Sequence, residues 1–131
     1  GTGALVSRLR SRGYCFNKII ERNIEDFGIH DMSPLPLDLN QDFDQEIDKD
    51  YTLVTAIEII EHLDSPRSFL EKIYRVLQPG GYLAVSTPNV THWLGRLQFL
   101  LTGNLKYFTP QDFYDQRHIS PIMDFHMRKM A

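Results

Sequence analysis

The apolar residues of this chain fall into short runs separated by turn formers, and the clearest series lies between residues 51 and 89. Leu53-Val54-Thr55-Ala56-Ile57 is a short apolar, β-branched run, the pattern of a strand covered on both faces. Ser65-Pro66 then predicts a helix start, since serine is a good N-cap and proline suits the first helical position. Phe69, Leu70, Ile73, Val76 and Leu77 recur at helical spacing, with Arg67, Glu71, Lys72 and Arg75 on the other side. Gln78-Pro79-Gly80-Gly81 stops the helix, and Tyr82-Leu83-Ala84-Val85-Ser86 predicts a second buried strand. Strand, helix, strand makes a βαβ unit with parallel strands.

The flanking patterns are weaker. Residues 4–12 predict a helix with Ala4, Leu5, Val6 and Leu9 turned inward and Gly13 as its stop. Residues 14–20 predict a strand that Asn17 and Lys18 interrupt, and Leu35-Pro36-Leu37-Asp38-Leu39-Asn40 a further short one. Residues 41–50 read as acidic and exposed, anchored by Phe43 and Ile47. Asn89 can cap a helix over residues 90–101 whose apolar face is Trp93, Leu94, Leu97, Leu100 and Leu101, with Gly103 at its end. Residues 102–116 read as a partly ordered lid, and residues 122–130 as a last helix.

Length and composition narrow the class. The 131 residues allow one domain, and 42% hydrophobic with 24% charged residues is ordinary for a globular protein. A net charge of −3, from 14 Lys and Arg against 17 Asp and Glu, gives no bulk attraction to nucleic acid or anionic lipid. Cys15 is the only cysteine, so the chain forms no internal disulfide, and a reducing cytoplasm suits it. No apolar run approaches the length of a membrane span.

The chemistry-bearing cluster is Glu58-x-x-Glu61-His62, directly after the run that begins at Leu53. Read as one helical turn, positions i, i+3 and i+4 share a face. Two carboxylates and an imidazole there suit a divalent metal such as Mg²⁺, Mn²⁺ or Zn²⁺. They equally suit His62 as a general base, with Glu61 beside it and Glu58 lining a cleft.

Taken in order, Asp50-Tyr51 before the strand, Glu58-x-x-Glu61-His62-Leu63, Leu77-Gln78-Pro79-Gly80-Gly81 and Ser86-Thr87-Pro88-Asn89 resemble the class I S-adenosylmethionine-dependent methyltransferases. Within them the series is most similar to the branch that holds the ubiquinone-biosynthesis O-methyltransferases. The resemblance implies a Rossmann-like α/β three-layer sandwich with a mostly parallel sheet, S-adenosyl-L-methionine as cofactor, and a small-molecule acceptor methylated on oxygen. It implies that Gly1 and Gly3 are the last of the glycines that pass close to the cofactor, and that Glu21 holds the ribose, or Glu25 or Asp26 if the strand is shifted. It further implies that Asp38 and the Leu39 backbone meet the adenine. Some relatives carry a metal on a Glu-x-x-Glu-His cluster, completed by a later histidine, here His118. Trp93, Phe99, Tyr107 and Phe108 are pocket candidates, with core packing as the alternative role for each. Against the family pattern, the first strand and the last two strands are absent, so the chain reads as a partial domain over residues 1–131. Two other classes stay open: a methyltransferase-derived fragment that only binds or dimerises, and another nucleotide-binding α/β domain.

Overall fold

The computed structural model describes residues 2–16 and 18–130. The chain forms two compact units, Gly1–Gln41 and Asp42–Ala131.

In the first unit, helix α1 (Ala4–Arg10) follows Gly3, which adopts a left-handed conformation at φ 79°. A Cβ there would lie 2.8 Å from the Ile29 side chain and 3.0 Å from that of Phe27, so only glycine fits. Arg10 donates two parallel hydrogen bonds, 3.0 and 2.8 Å long, to the Asp31 carboxylate and ties α1 to the following loop. The inward face expected of α1 is only partial. Val6 and Leu9 are half-buried, whereas Ala4 and Leu5 are exposed.

Neither strand expected in this unit forms in full. Ile20 and Leu35 make one parallel bridge, with the Leu35 N–H donating to Ile19 O at 2.8 Å and the Glu21 N–H to Leu35 O at 3.0 Å. The pairing stops there for a local reason. Pro36 has no N–H to offer, and the Leu37 N–H turns back onto Leu35 O at 2.9 Å. Upstream, Tyr14 and Cys15 are exposed, and among the described residues no strand pairs with them.

The second unit holds the predicted βαβ arrangement. Strand β1 (Tyr51–Ile57) pairs in parallel with β2 (Leu77–Ser86), and α2 (Pro66–Val76) connects them. The helix begins as the sequence predicts, with Pro66 in its first turn and the Ser65 Oγ accepting from the Ser68 N–H at 3.3 Å. The Pro-Gly-Gly turn is accommodated inside β2. Tyr51 pairs with Leu77 but Leu53 with Tyr82, so Gln78, Pro79, Gly80 and Gly81 bulge out of the ladder. A Cβ on Gly81 would lie 2.9 Å from the Tyr51 carbonyl oxygen, which makes glycine obligatory at the closing point.

Phe69, Leu70, Ile73 and Val76 of α2 enter the core, where the Phe69 ring lies 5.8 Å from that of Phe43. Phe43 opens a short 3-10 turn, Phe43–Gln45, inside the segment expected to be exposed. Asp44 of that segment is buried instead, and so is Lys72 of α2. Asp44 pairs with Arg75 at 3.0 Å, and Lys72 lies over the Phe43 ring and pairs with Asp42 at 3.2 Å. The Lys72 ammonium lies 6.0 Å from the Phe43 ring centroid while it also pairs with the Asp42 carboxylate.

The strands are less buried than their sequence predicts. Among the described residues the sheet has two strands, and only Ala56 of β1 is fully buried, while Tyr82 is 74% exposed. Three further helices follow: α3 (Trp93–Thr102), α4 (Pro110–Gln116) and α5 (Asp124–Met130). Helix α3 starts later than predicted, with His92 rather than Asn89 as its N-cap. The Asn89 carboxamide is already engaged, accepting from the Thr91 N–H and hydroxyl at 3.1 and 2.9 Å. The apolar face of α3 is solvent-exposed, Trp93 by 65% and Leu100 by 79%, so these side chains are not core residues. The segment read as a lid contains α4, which carries a full capping box made by Thr109 and Asp112. No helix among the described residues is long and apolar enough to cross a membrane.

Phe43→Ala should lower stability by about 3–5 kcal/mol in urea unfolding, because it empties a core position that the Phe69 ring and the Lys72 ammonium border. Phe99→Ala, at an exposed site, should change it by no more than about 0.5 kcal/mol.

Candidate functional site

The site builds up from the carboxyl end of β1, in the second unit. The Glu58 N–H donates to the Ser86 carbonyl at 3.1 Å and so extends the ladder by one residue past Ile57. Glu58 itself is left-handed, at φ 53°, which costs a non-glycine residue roughly 1–2 kcal/mol. That turn carries the chain off the sheet and returns the carboxylate to Ser86, whose hydroxyl donates to it at 2.6 Å. A 3-10 turn, Ile60–His62, follows. The expected single helical face of residues 58, 61 and 62 therefore does not form, because the left-handed Glu58 precedes the turn rather than belonging to it.

The 3-10 turn buries Ile60 and Glu61 completely. The Glu61 backbone carbonyl accepts from the N–H groups of Ile119 and Ser120, at 3.0 and 2.9 Å. The Ser120 hydroxyl donates to the Leu63 carbonyl at 2.7 Å. These bonds stitch the segment after α4 onto the turn, across more than fifty residues of sequence, and bring His118 beside His62. Their rings lie 4.8 Å apart in an edge-on arrangement.

Both imidazoles are held from behind. His62 Nδ1 lies 3.3 Å from the Arg117 carbonyl, and His118 Nδ1 lies 2.6 Å from the Tyr107 carbonyl. A carbonyl only accepts, so Nδ1 carries the hydrogen in each ring. In the neutral ring, Nε2 then keeps its lone pair, and that of His62 faces Glu61 Oε1 at 4.0 Å.

The Glu61 carboxylate is the anomaly of the site. Both of its oxygens are buried and neither has a hydrogen-bond partner. Burial pushes this carboxyl above its ordinary value of 4.5 and the charge of Glu58 adds to the rise, while its own backbone N–H, His62 and the nearby Thr87 hydroxyl oppose it. One ligand atom from each of Glu61, His62 and His118 falls within 4.8 Å of the others. They open onto a cavity of about 770 Å³, lined also by Glu58, Asn89, His92, Lys106, Tyr107 and Gln116. Two ring nitrogens and a carboxylate, in a concave and partly apolar setting, can take a proton from a bound hydroxyl or ligate a divalent cation.

A family model described as a methyltransferase domain matches residues 1–124. The chain belongs to this methyltransferase family. Curated relatives match a shorter stretch. It is 37% identical over 46 residues to the mitochondrial ubiquinone biosynthesis O-methyltransferase of Dictyostelium discoideum, covering 35% of this chain and 14% of that protein. It is 37% identical over 49 residues to the ubiquinone biosynthesis O-methyltransferase of Pseudomonas savastanoi pv. phaseolicola, covering 37% of this chain and 21% of the relative. The relation to the protein of that name from Pseudomonas syringae pv. syringae has the same extent. The matched stretch thus spans about a fifth or less of these relatives' length. No solved structure matches the chain significantly.

The methyltransferase domain distributes the residues predicted from its sequence as follows. Glu58, Glu61, His62 and His118 line one cavity, but Glu58 is bound to Ser86 and stands outside the close trio. Tyr107 lines the same cavity, whereas Trp93 and Phe99 are exposed and Phe108 instead stacks its ring 5.4 Å from that of His118. Gly3, Glu21, Asp38 and Leu39 belong to the first unit, as do Glu25 and Asp26, which form a 3-10 turn with Ile24. Gly1 lies outside the described residues. The parallel bridge between Ile20 and Leu35 sets Glu21 and Asp38 beyond the same end of that pairing. Glu21 accepts from the Asn23 N–H at 3.1 Å, and Asp38 from the Asn40 N–H at 3.0 Å, so each carboxylate caps a local turn. Sequence reasoning missed Asn89, His92, Lys106 and Gln116 as lining residues. The Thr109-Pro110-Gln111-Asp112 capping signature was the available sign that an ordered helix delivers Gln116 and His118.

The raised Glu61 pKa has a stability consequence. Its contribution is fully present below the unfolded value near 4.5 and is lost as pH rises through the higher folded value. In chelator-treated buffer, Glu61→Gln should therefore match the parent chain near pH 4 and exceed it by about 1–3 kcal/mol at neutral pH, as read by urea unfolding across that range.

Proposed function

We propose that this protein transfers the methyl group of S-adenosyl-L-methionine to an oxygen of a small-molecule acceptor bound in the cavity over Glu61, His62 and His118. The observation that carries this reading is the trio itself: a wholly buried carboxylate with no close hydrogen bond, beside two imidazoles whose Nδ1 atoms are both committed to carbonyls. The family match and the names of the relatives support methyl transfer and an oxygen acceptor. In this reading the β1–β2 pair is part of a Rossmann-like sandwich.

The cofactor supplies an activated methyl on a sulfonium, so the protein's work is positioning and deprotonation. In the first unit, Glu21 and Asp38 are carboxylates fit to accept from ribose hydroxyls and an adenine amino group, with Gly3 and the Leu39 backbone beside them. In the second, His62 Nε2 takes the proton of the acceptor hydroxyl. The buried Glu61 carboxylate then stabilises the imidazolium that forms.

A divalent cation on Glu61, His62 and His118 is the alternative to that general-base role, because the ion would occupy the His62 Nε2 lone pair. The unpartnered Glu61 oxygens fit a ligand role. Two nitrogens and one carboxylate suit Mn²⁺ or Zn²⁺ better than Mg²⁺, which demands oxygen ligands. Such an ion would lower the pKa of the acceptor hydroxyl.

The test is binding of S-adenosylhomocysteine by calorimetry, followed by transfer of a labelled methyl group to a panel of small phenols. Saturable binding and O-methylation are expected, with His62→Ala lowering kcat by about 10²–10⁴-fold. A folded chain that binds no S-adenosylhomocysteine contradicts the proposal.

A further inference from the structure

The second unit contains an arrangement that neither the family match nor the relatives' names describe. Four described non-glycine residues have positive φ, and two of them, Tyr107 at 69° and Arg117 at 58°, are the residues whose carbonyls hold the two histidines. Left-handed backbone at a bulky residue is uncommon and is kept only where its surroundings enforce it.

The surroundings do enforce it here. Arg117 is the C-cap of α4, a place usually filled by glycine, and its N–H donates back to Asp112 and Phe113. The left-handed cap reverses the chain, so the Arg117 carbonyl is turned out of the helix direction and onto His62 Nδ1. The Arg117 side chain makes no part of this: it is exposed, and the bond is to its backbone. Tyr107 lies just before the α4 capping box, and its carbonyl meets His118 Nδ1. One short helix therefore has a left-handed residue near each end, and each of the two addresses a different histidine.

We infer that Tyr107 and Arg117 are positioning residues, whose left-handed backbone fixes His118 and His62 in the Nδ1–H tautomer, leaving each Nε2 its lone pair, with that of His62 facing Glu61. This rests on the reading of those histidines as the working groups. It adds that α4 is a frame setting which ring nitrogen works. Without the two carbonyls, each neutral ring would be free to place its hydrogen on Nε2, and the lone pair would be lost from the cavity.

The test is long-range ¹H–¹⁵N NMR of the imidazoles in chelator-treated buffer, above the pH at which both rings become neutral. His62→Gln and His118→Gln assign the signals. Both rings should show a hydrogen on Nδ1 and a bare Nε2. Arg117→Val, β-branched and ill-suited to positive φ, should turn His62 into a mixture of tautomers and leave His118 unchanged. Tyr107→Val should do the reverse. Arg117→Gly, which adopts the left-handed angle freely, should keep the His62 tautomer. In the methyl-transfer assay Arg117→Val should lower kcat about 10–100-fold with little change in KM for S-adenosylmethionine, and Arg117→Gly should recover most of that loss.

A bare Nδ1 in either ring of the parent chain overturns the inference, and that measurement needs no variant to fold. So does a valine variant that is folded, by circular dichroism, with its histidine tautomer unmoved. If the tautomers behave as expected but no methyl transfer is found, the function proposed above fails and the positioning role stands.

Discussion

The site depends on one costly burial, that of the Glu61 carboxylate. An ionised carboxylate without partners in a protein interior is destabilising, and native chains rarely keep one unless something compensates. The backbone of the same residue supplies part of that compensation. The Glu61 carbonyl receives two N–H groups from the Ile119–Ser120 segment, and the Ser120 hydroxyl fastens Leu63. Glu61 is thus both the anchor for the segment that brings His118 in and the charge toward which His62 is turned.

The rest of the second unit can be read outward from that point. The parallel pairing of β1 with β2 ends at Ser86, whose hydroxyl and carbonyl hold the left-handed Glu58. This sets where the chain leaves the sheet and so where the 3-10 turn falls. Helix α2 packs on that turn and buries Phe69, Leu70 and Ile73 in the core. Helix α4 is held at its start by the Thr109–Asp112 box, in which the Thr109 hydroxyl and N–H keep the Asp112 carboxyl below its ordinary value. Its left-handed C-cap then delivers His118.

Much of the second unit was legible in the sequence where local chemistry and burial agree. Ser65-Pro66 marked a helix start, the 3.6-residue spacing of Phe69, Leu70, Ile73 and Val76 marked its buried face, and the two β-branched runs paired in parallel. Legibility failed where position depends on distant partners. Lys72 reads as a surface lysine but is buried through Asp42 and Phe43. Leu53 and Trp93 read as core but are exposed, since an apolar pattern states what a side chain prefers and not what covers it. The first unit shows the same limit: Pro36 ended a strand that the apolar alternation around it suggested. Of the site, Glu58, Glu61, His62 and His118 were readable as a set. The left-handed backbones of Glu58, Tyr107 and Arg117 were not, because no glycine or asparagine announces them.

The account's central claim is that Glu61 is a buried carboxyl held ready at the floor of the cavity. Its most direct test is a ¹³C NMR titration of the Glu61 side-chain carboxyl in chelator-treated buffer, with Glu61→Gln used to assign the signal. The account predicts a midpoint clearly above the ordinary 4.5. A midpoint at or below that value would mean that the carboxylate is solvated or paired, and would contradict the site described here.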